Sequence, residues 1–161
     1  MIQTDIDFPD FLPRPLIDER APQIGPTFER TEMSNGRARN RRISSSPPVA
    51  DRISFIFNAG QAAAFVSWYR TQARFGVSWF NAKLKTELGI DTPVVLRFTN
   101  ANTPYTGPIP ISQGLYRVSA DVEMYEQPRF PDEWGQYPEW IASAGGLDII
   151  VNRILPEYTE E

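Results

Sequence analysis

The stretch that most constrains this chain runs from Asp51 to Ala82, DRISFIFNAGQAAAFVSWYRTQARFGVSWFNA, because it reads in order as a strand, a capped helix and a second strand. From Arg52 to Phe57, Ile53, Phe55 and Phe57 alternate with Arg52, Ser54 and Ile56, the period of two of a strand with one face buried. Asn58 stands where a helix cap belongs. After it Ala62, Phe65, Val66, Tyr69 and Ala73 form one apolar stripe, while Gln61, Arg70, Gln72 and Arg74 take the wetter side. The pattern predicts a helix over about 59–75, stopped by Gly76, whose tolerance of positive φ suits the residue after a last turn. Val77 to Phe80 then resumes an aromatic, β-branched run. Trp68, Tyr69, Phe75, Trp79 and Phe80 could be imagined as a platform for a sugar or a base, but aromatic residues crowded around a helix end are as a rule core.

Two further strands and a hairpin follow from the same logic. Leu115 to Glu126 alternates cleanly, with Tyr116, Val118, Ala120, Val122 and Met124 on one face and Arg117, Ser119, Asp121, Glu123 and Tyr125 on the other. Val94 to Thr99 is a strand. Lys83 to Pro93 reads as a polar, turn-rich connection, and Asn100 to Gly114 as a long loop without periodicity, of the kind that reaches partners. Thr27 to Met33 and Arg37 to Ser44 are extended runs joined by Ser34-Asn35-Gly36, a strong hairpin signal. The second run, RARNRRIS, puts Arg37, Arg39 and Arg41 on one face and Arg42 on the other. A solvated edge strand, a polar subunit interface that takes a neighbour's carboxylates, and a phosphate or nucleic-acid contact all remain open for these arginines. No aromatic residue interleaves them, which disfavours the last.

The two ends differ in character. Residues 1–27 hold Pro9, Pro13, Pro15, Pro22 and Pro26, which forbid a long helix, yet also Phe8, Phe11, Leu12 and Leu16, too apolar for a free linker. The expectation is an extended arm that lies in a groove on its own or a neighbouring body, with contacts outside its own domain to hold it. Residues 28–131 form the β domain, and 132–161 a linker and a docking helix. There Pro138 suits a helix start, Gly145-Gly146 divides Glu139–Ala144 from Leu147–Leu155, and Ile149, Ile150 and Ile154 give the second piece an apolar side.

With 161 residues there is room for one domain. Cysteine and histidine are both absent, which excludes disulfides, the usual Cys/His zinc sites, thiol nucleophiles and Ser-His-Asp catalysis. Asp5 with Asp7 and Asp121 with Glu123 read as solvated carboxylates rather than acid–base pairs. Neither an enzyme nor a cofactor is expected, and no apolar run approaches the roughly 18–20 residues of a membrane span. The acidic N-terminus lacks the features of a secretory signal, so the expected site of synthesis is a cytoplasm. A net charge of −4 argues against specific nucleic-acid binding. Charge is unevenly spread, however, basic around Arg30 to Arg42 and acidic towards Glu160 and Glu161, so copies of the chain can attract each other.

The ordered series LPRPL, ERTEMSNGRARNRR, QAAAFVSWYRTQARFGVSWFN, VVLRFT and LYRVSADVEMYEQPRF resembles the small tail proteins of long-tailed bacteriophages, in particular the distal tail protein family of lambda-like phages. The likeness covers about residues 10–131. It implies an α+β fold, mainly an antiparallel β-sandwich or barrel of tail-tube-like form with one flanking helix and extended arms. It also implies a virion protein, assembled in the host cytoplasm into a homo-hexameric ring at the tail tip, with the tail tube and the hub as neighbours. Arg37, Arg39, Arg41, Arg42, Phe8, Phe11, Leu12, Leu16, Ile149, Ile150 and Ile154 are then the expected subunit-interface residues. Another tail or neck component, such as a tube, terminator or head-to-tail adaptor protein, would share this form. A small cytoplasmic enzyme or ligand-binding barrel would instead need an enclosed polar pocket.

Overall fold

The structure, a computed structural model, describes residues 4–34 and 36–149. A two-residue strand, Gln23–Ile24 (β1), precedes a hairpin of Phe28–Glu32 (β2) and Ala38–Arg42 (β3). The long strand Val49–Asn58 (β4) runs directly into the helix Ala59–Thr71 (α1), and a second hairpin pairs Phe80–Thr86 (β5) with Gly89–Phe98 (β6). Thr106–Ser112 (β7), Leu115–Met124 (β8) and the helix Pro138–Ile149 (α2) complete the order. Every paired strand is antiparallel to its neighbour.

The chain is thus mostly antiparallel β with one main helix and two sheets. The larger sheet runs β1-β4-β8-β6-β5, with β7 also on β8; the smaller holds only β2 and β3. The backbone of β8 organises the larger one. One edge of β8 pairs with β4 along its whole length, from Val49↔Met124 to Asn58↔Leu115. The other edge is shared end to end, Met124 to Val122 by β6 and Ser119 to Leu115 by β7. Strand pairing does not close this sheet, which leaves an edge of β4 and an edge of β5 free of a long partner.

The expected alternation is seen in both long strands: Ile53, Phe55 and Phe57 of β4 and Val118, Ala120, Val122 and Met124 of β8 are buried. They face Phe65, Trp68 and Tyr69 of α1, and the rings form a continuous series. Phe55 stacks on Phe57 at 5.2 Å, Phe57 leans on Phe65 at 5.5 Å, and Trp68 meets Phe80 edge-on at 5.1 Å. Asn58 caps α1 as expected, accepting from the Gln61 N–H at 2.8 Å. Gln61, read as merely wet, reciprocates by accepting from the Asn58 N–H at 3.0 Å and completes a capping box.

Several boundaries differ from expectation, each for a physical reason. The helix ends at Thr71 rather than near 75, because Arg74, Phe75 and Gly76 all take positive φ (49°, 58° and 86°) and swing the chain back to β5. Tyr69 holds that turn by donating its hydroxyl to the Phe75 carbonyl at 2.6 Å; burial, and then the neighbouring Tyr105, pushes its pKa above the ordinary value. Lys83 to Pro93 is a hairpin, not a connection. Its inward residues Ala82, Leu84 and Val94 pack on the core while Lys83 and Lys85 face water. Pro93 is tolerated because β6 has a neighbour on only one side there, β8 joining it later, at Leu96. For the same reason Pro108 and Pro110 do not prevent β7, an exposed edge strand inside the expected long loop. Finally, α2 runs unbroken through Gly145-Gly146.

A Cβ at Gly76 would sit 3.2 Å from both Phe98 and Tyr69, whereas one at Gly114, also left-handed at φ 79°, meets open space. Both alanine variants carry left-handed strain of about 1–2 kcal/mol. Urea unfolding should show Gly76→Ala less stable than Gly114→Ala by about 1 kcal/mol or more, the added cost of overpacking.

Candidate assembly surface

The N-terminal arm lies on its own sheet, across the gap that strand pairing leaves open. The Phe8 N–H donates to the Asn81 carbonyl of β5 at 2.8 Å, and its ring stacks on Phe55 of β4 at 5.2 Å. The Leu16 N–H donates to the Ser54 carbonyl of β4 at 2.7 Å. Leu12 is buried in the core. The expectation that contacts outside its domain hold this arm is therefore corrected for Phe8, Leu12 and Leu16, whose contacts are to the chain's own strands. A proline-rich segment cannot offer a full ladder, but isolated N–H groups and apolar side chains suffice to cover two bare edges. Phe11 differs, being 68% exposed.

A polar latch fixes the end of the arm. Arg20 donates from Nε and Nη2 to Asp51 Oδ2 at 2.9 and 2.7 Å, and its Nη1 reaches the Lys85 carbonyl, so one guanidinium ties β4 to the end of β5. The Ala21 N–H adds a bond to Asp51 Oδ1 at 3.1 Å. The Asp51 side chain is 0% exposed and that of Arg20 10%. Glu19 accepts from the Ser54 hydroxyl and from Arg117 Nη1, the latter at 2.9 Å. Sequence reading missed this cluster, although it held a signal: Asp51 lies on the core side of the alternation Asp51-Ile53-Phe55-Phe57, and a carboxylate there requires a buried cation.

The hairpin of β2 and β3 has the opposite character. Its register pairs Phe28 with Arg42, Glu29 with Arg41 and Thr31 with Arg39, and every residue of both strands except the half-buried Ala38 is exposed. Its second strand joins no other, and Phe28, Met33 and Ile43 add exposed apolar surface. Among the described residues Arg30, Arg39, Arg41 and Arg42 make no ion pair; Arg37 has an interaction of its own. The chain from Pro131 to Trp140 is also exposed throughout. Of the isoleucines expected on a docking helix, Ile149 ends α2, while Ile150 and Ile154 lie outside the described residues.

On the outer face of the large sheet Glu123 accepts from Arg97 at 2.5 Å, and that guanidinium lies 4.5 Å above the Trp79 ring. Glu123 is therefore an ion-pair partner rather than a free solvated acid. Between the arm and the sheet is a cavity of about 220 Å³ with a floor that includes Phe55, Phe80 and Leu96. At its rim Lys83 pairs with Asp10 at 3.2 Å and Arg14 with Asp91, while Asp7 accepts from the Asn81 side-chain amide at 2.7 Å. Among the described residues no group of three or more metal-ligating side chains is gathered, and no helix is long and apolar enough to cross a membrane. Comparison with protein-family models, with curated proteins and with solved structures finds no match.

The arginines thus divide by environment, and alanine substitution separates them. Arg20→Ala leaves the Asp51 carboxylate buried and unmatched, which costs about 3–5 kcal/mol. Arg39→Ala on the exposed ribbon should stay within about 0.5 kcal/mol of the parent. Denaturant unfolding of the two variants measures the difference directly.

Proposed function

We propose that this chain is a structural virion protein of a bacteriophage tail, forming a ring, a homo-hexamer, at the distal tail tip between the tail tube and the receptor-binding apparatus. The observation that carries the reading is the basic β2–β3 ribbon. A two-stranded hairpin alone in water is marginally stable at best, and one with nearly every position exposed gains stability when a neighbour covers it. Its arginines suit carboxylates on that neighbour, which set register and association rate.

The body supports the same reading. A large antiparallel sheet with α1 on one face, and an arm lying between the edges of β4 and β5, is compatible with the barrel-like or sandwich-like, tail-tube-like form that the resemblance implies. The exposed Phe11 gives this body a further contact point for the tube or the hub.

Native mass spectrometry of the purified chain should find a closed homo-oligomer, and raising salt should weaken it, because exposed charge pairs are screened beyond about 8–10 Å. A chain that is monomeric at every concentration overturns the reading. Labelling of intact virions tests the position, with the tail tip as the expected result.

A further inference from the structure

Building on that reading, we propose the surface that the ribbon meets: the β2–β3 hairpin of one copy docks on the acidic, aromatic segment Asp132–Trp140 of the next. Trp134, Tyr137 and Trp140 are 43%, 54% and 64% exposed. Their rings pack in local pairs, Phe130 with Trp134 at 6.5 Å and Tyr137 with Trp140 at 6.1 Å, rather than into the core. An exposed apolar patch rimmed by charge is the mark of an interaction site. Three carboxylates lie among these rings, Asp132, Glu133 and Glu139. Asp132 has Arg129 at 3.5 Å, a cation it shares with Glu126, whereas Glu133 and Glu139 make no ion pair among the described residues.

The ribbon is the chemical complement of this segment. Its guanidinium groups can lie on Trp and Tyr faces while donating to carboxylates, and Phe28 and Met33 add apolar contact. The chain already uses that combination once, where Arg97 covers Trp79 and pairs with Glu123. Complementary charge commits the occupant to a second copy: between Thr27 and Ser44 five arginines face two glutamates, in a chain whose total is −4.

Within one chain no hydrogen bond or ion pair among the described residues joins Arg30, Arg39, Arg41 or Arg42 to that segment. The ribbon leads into β4 at Val49 and the segment follows β8 after Met124, and those two residues are paired. The connections to both surfaces therefore leave the sheet at the same end, where a copy standing alongside can reach them. Two different patches make a head-to-tail contact, which closes as a ring when the rotation allows.

Two charge-reversed proteins test this, Arg39→Glu/Arg41→Glu and Glu133→Lys/Glu139→Lys. By sedimentation, each alone should associate about tenfold or more weakly than the parent, and their equimolar mixture should regain the parent's oligomer, since each then offers what the other lacks. Parent-like assembly of either protein alone, or failure of the mixture while both melt cooperatively, overturns the proposal and leaves the ring reading standing. A parent chain that never associates overturns both. Because the chain has no cysteine, Arg39→Cys and Glu133→Cys give a second measurement that does not depend on charge reversal. A mixed disulfide formed only on combining the two preparations supports the contact. A disulfide within one chain carrying both cysteines, with none between chains, overturns it.

Discussion

The ladder between β4 and β8 is the constraint on which the rest of the structure depends. Its strands meet residue for residue although Ser54 and Ser119, whose hydroxyls touch at 2.8 Å, lie 65 positions apart. Doubling the length of such a loop adds only about 0.6 kcal/mol to the cost of closing it. Burying one side chain the size of Phe55 or Val122 contributes about 1.5–3 kcal/mol. The ladder is stable because it aligns two such faces at once. Once it forms, α1 emerges from the end of β4, β6 and β7 divide the far edge of β8, and the arm has an edge of β4 to lie against.

What lies beside the ladder illustrates how differently one residue type behaves in two settings. Arg20 is withdrawn from water and held by a carboxylate on which it is the only charged partner among the described residues. Its loss exposes the asymmetry of buried pairs, which contribute little net but cost much when halved. Arg39 and Arg41, on a ribbon with no core behind it, remain exposed to water and add little to folding. An exposed edge strand rich in arginine also resists indiscriminate pairing with other strands.

The long strands, the hairpin around Asn35-Gly36 and the capped helix were legible because each is written locally. Alternation, a cap and a turn dipeptide act over a few residues. The β5–β6 hairpin and β7 were not, since lysines on a wet face and prolines on an unpaired edge look like loop until their neighbours are known. Nor was the polar latch read as such, although Asp51 on the buried side of its strand was a clue.

The sequence by itself determined which faces are apolar, where α1 starts, that no thiol or imidazole chemistry is available, and that positive charge concentrates on one hairpin. Only the tertiary structure decided that the arm covers its own sheet, that Leu12 belongs to the core and Phe11 to the surface, and that α1 stops at Thr71. Periodicity states that a residue has an apolar side but not which surface will cover it. That choice depends on two strand edges brought together from distant parts of the chain, and on the buried Arg20–Asp51 pair that holds the arm across them.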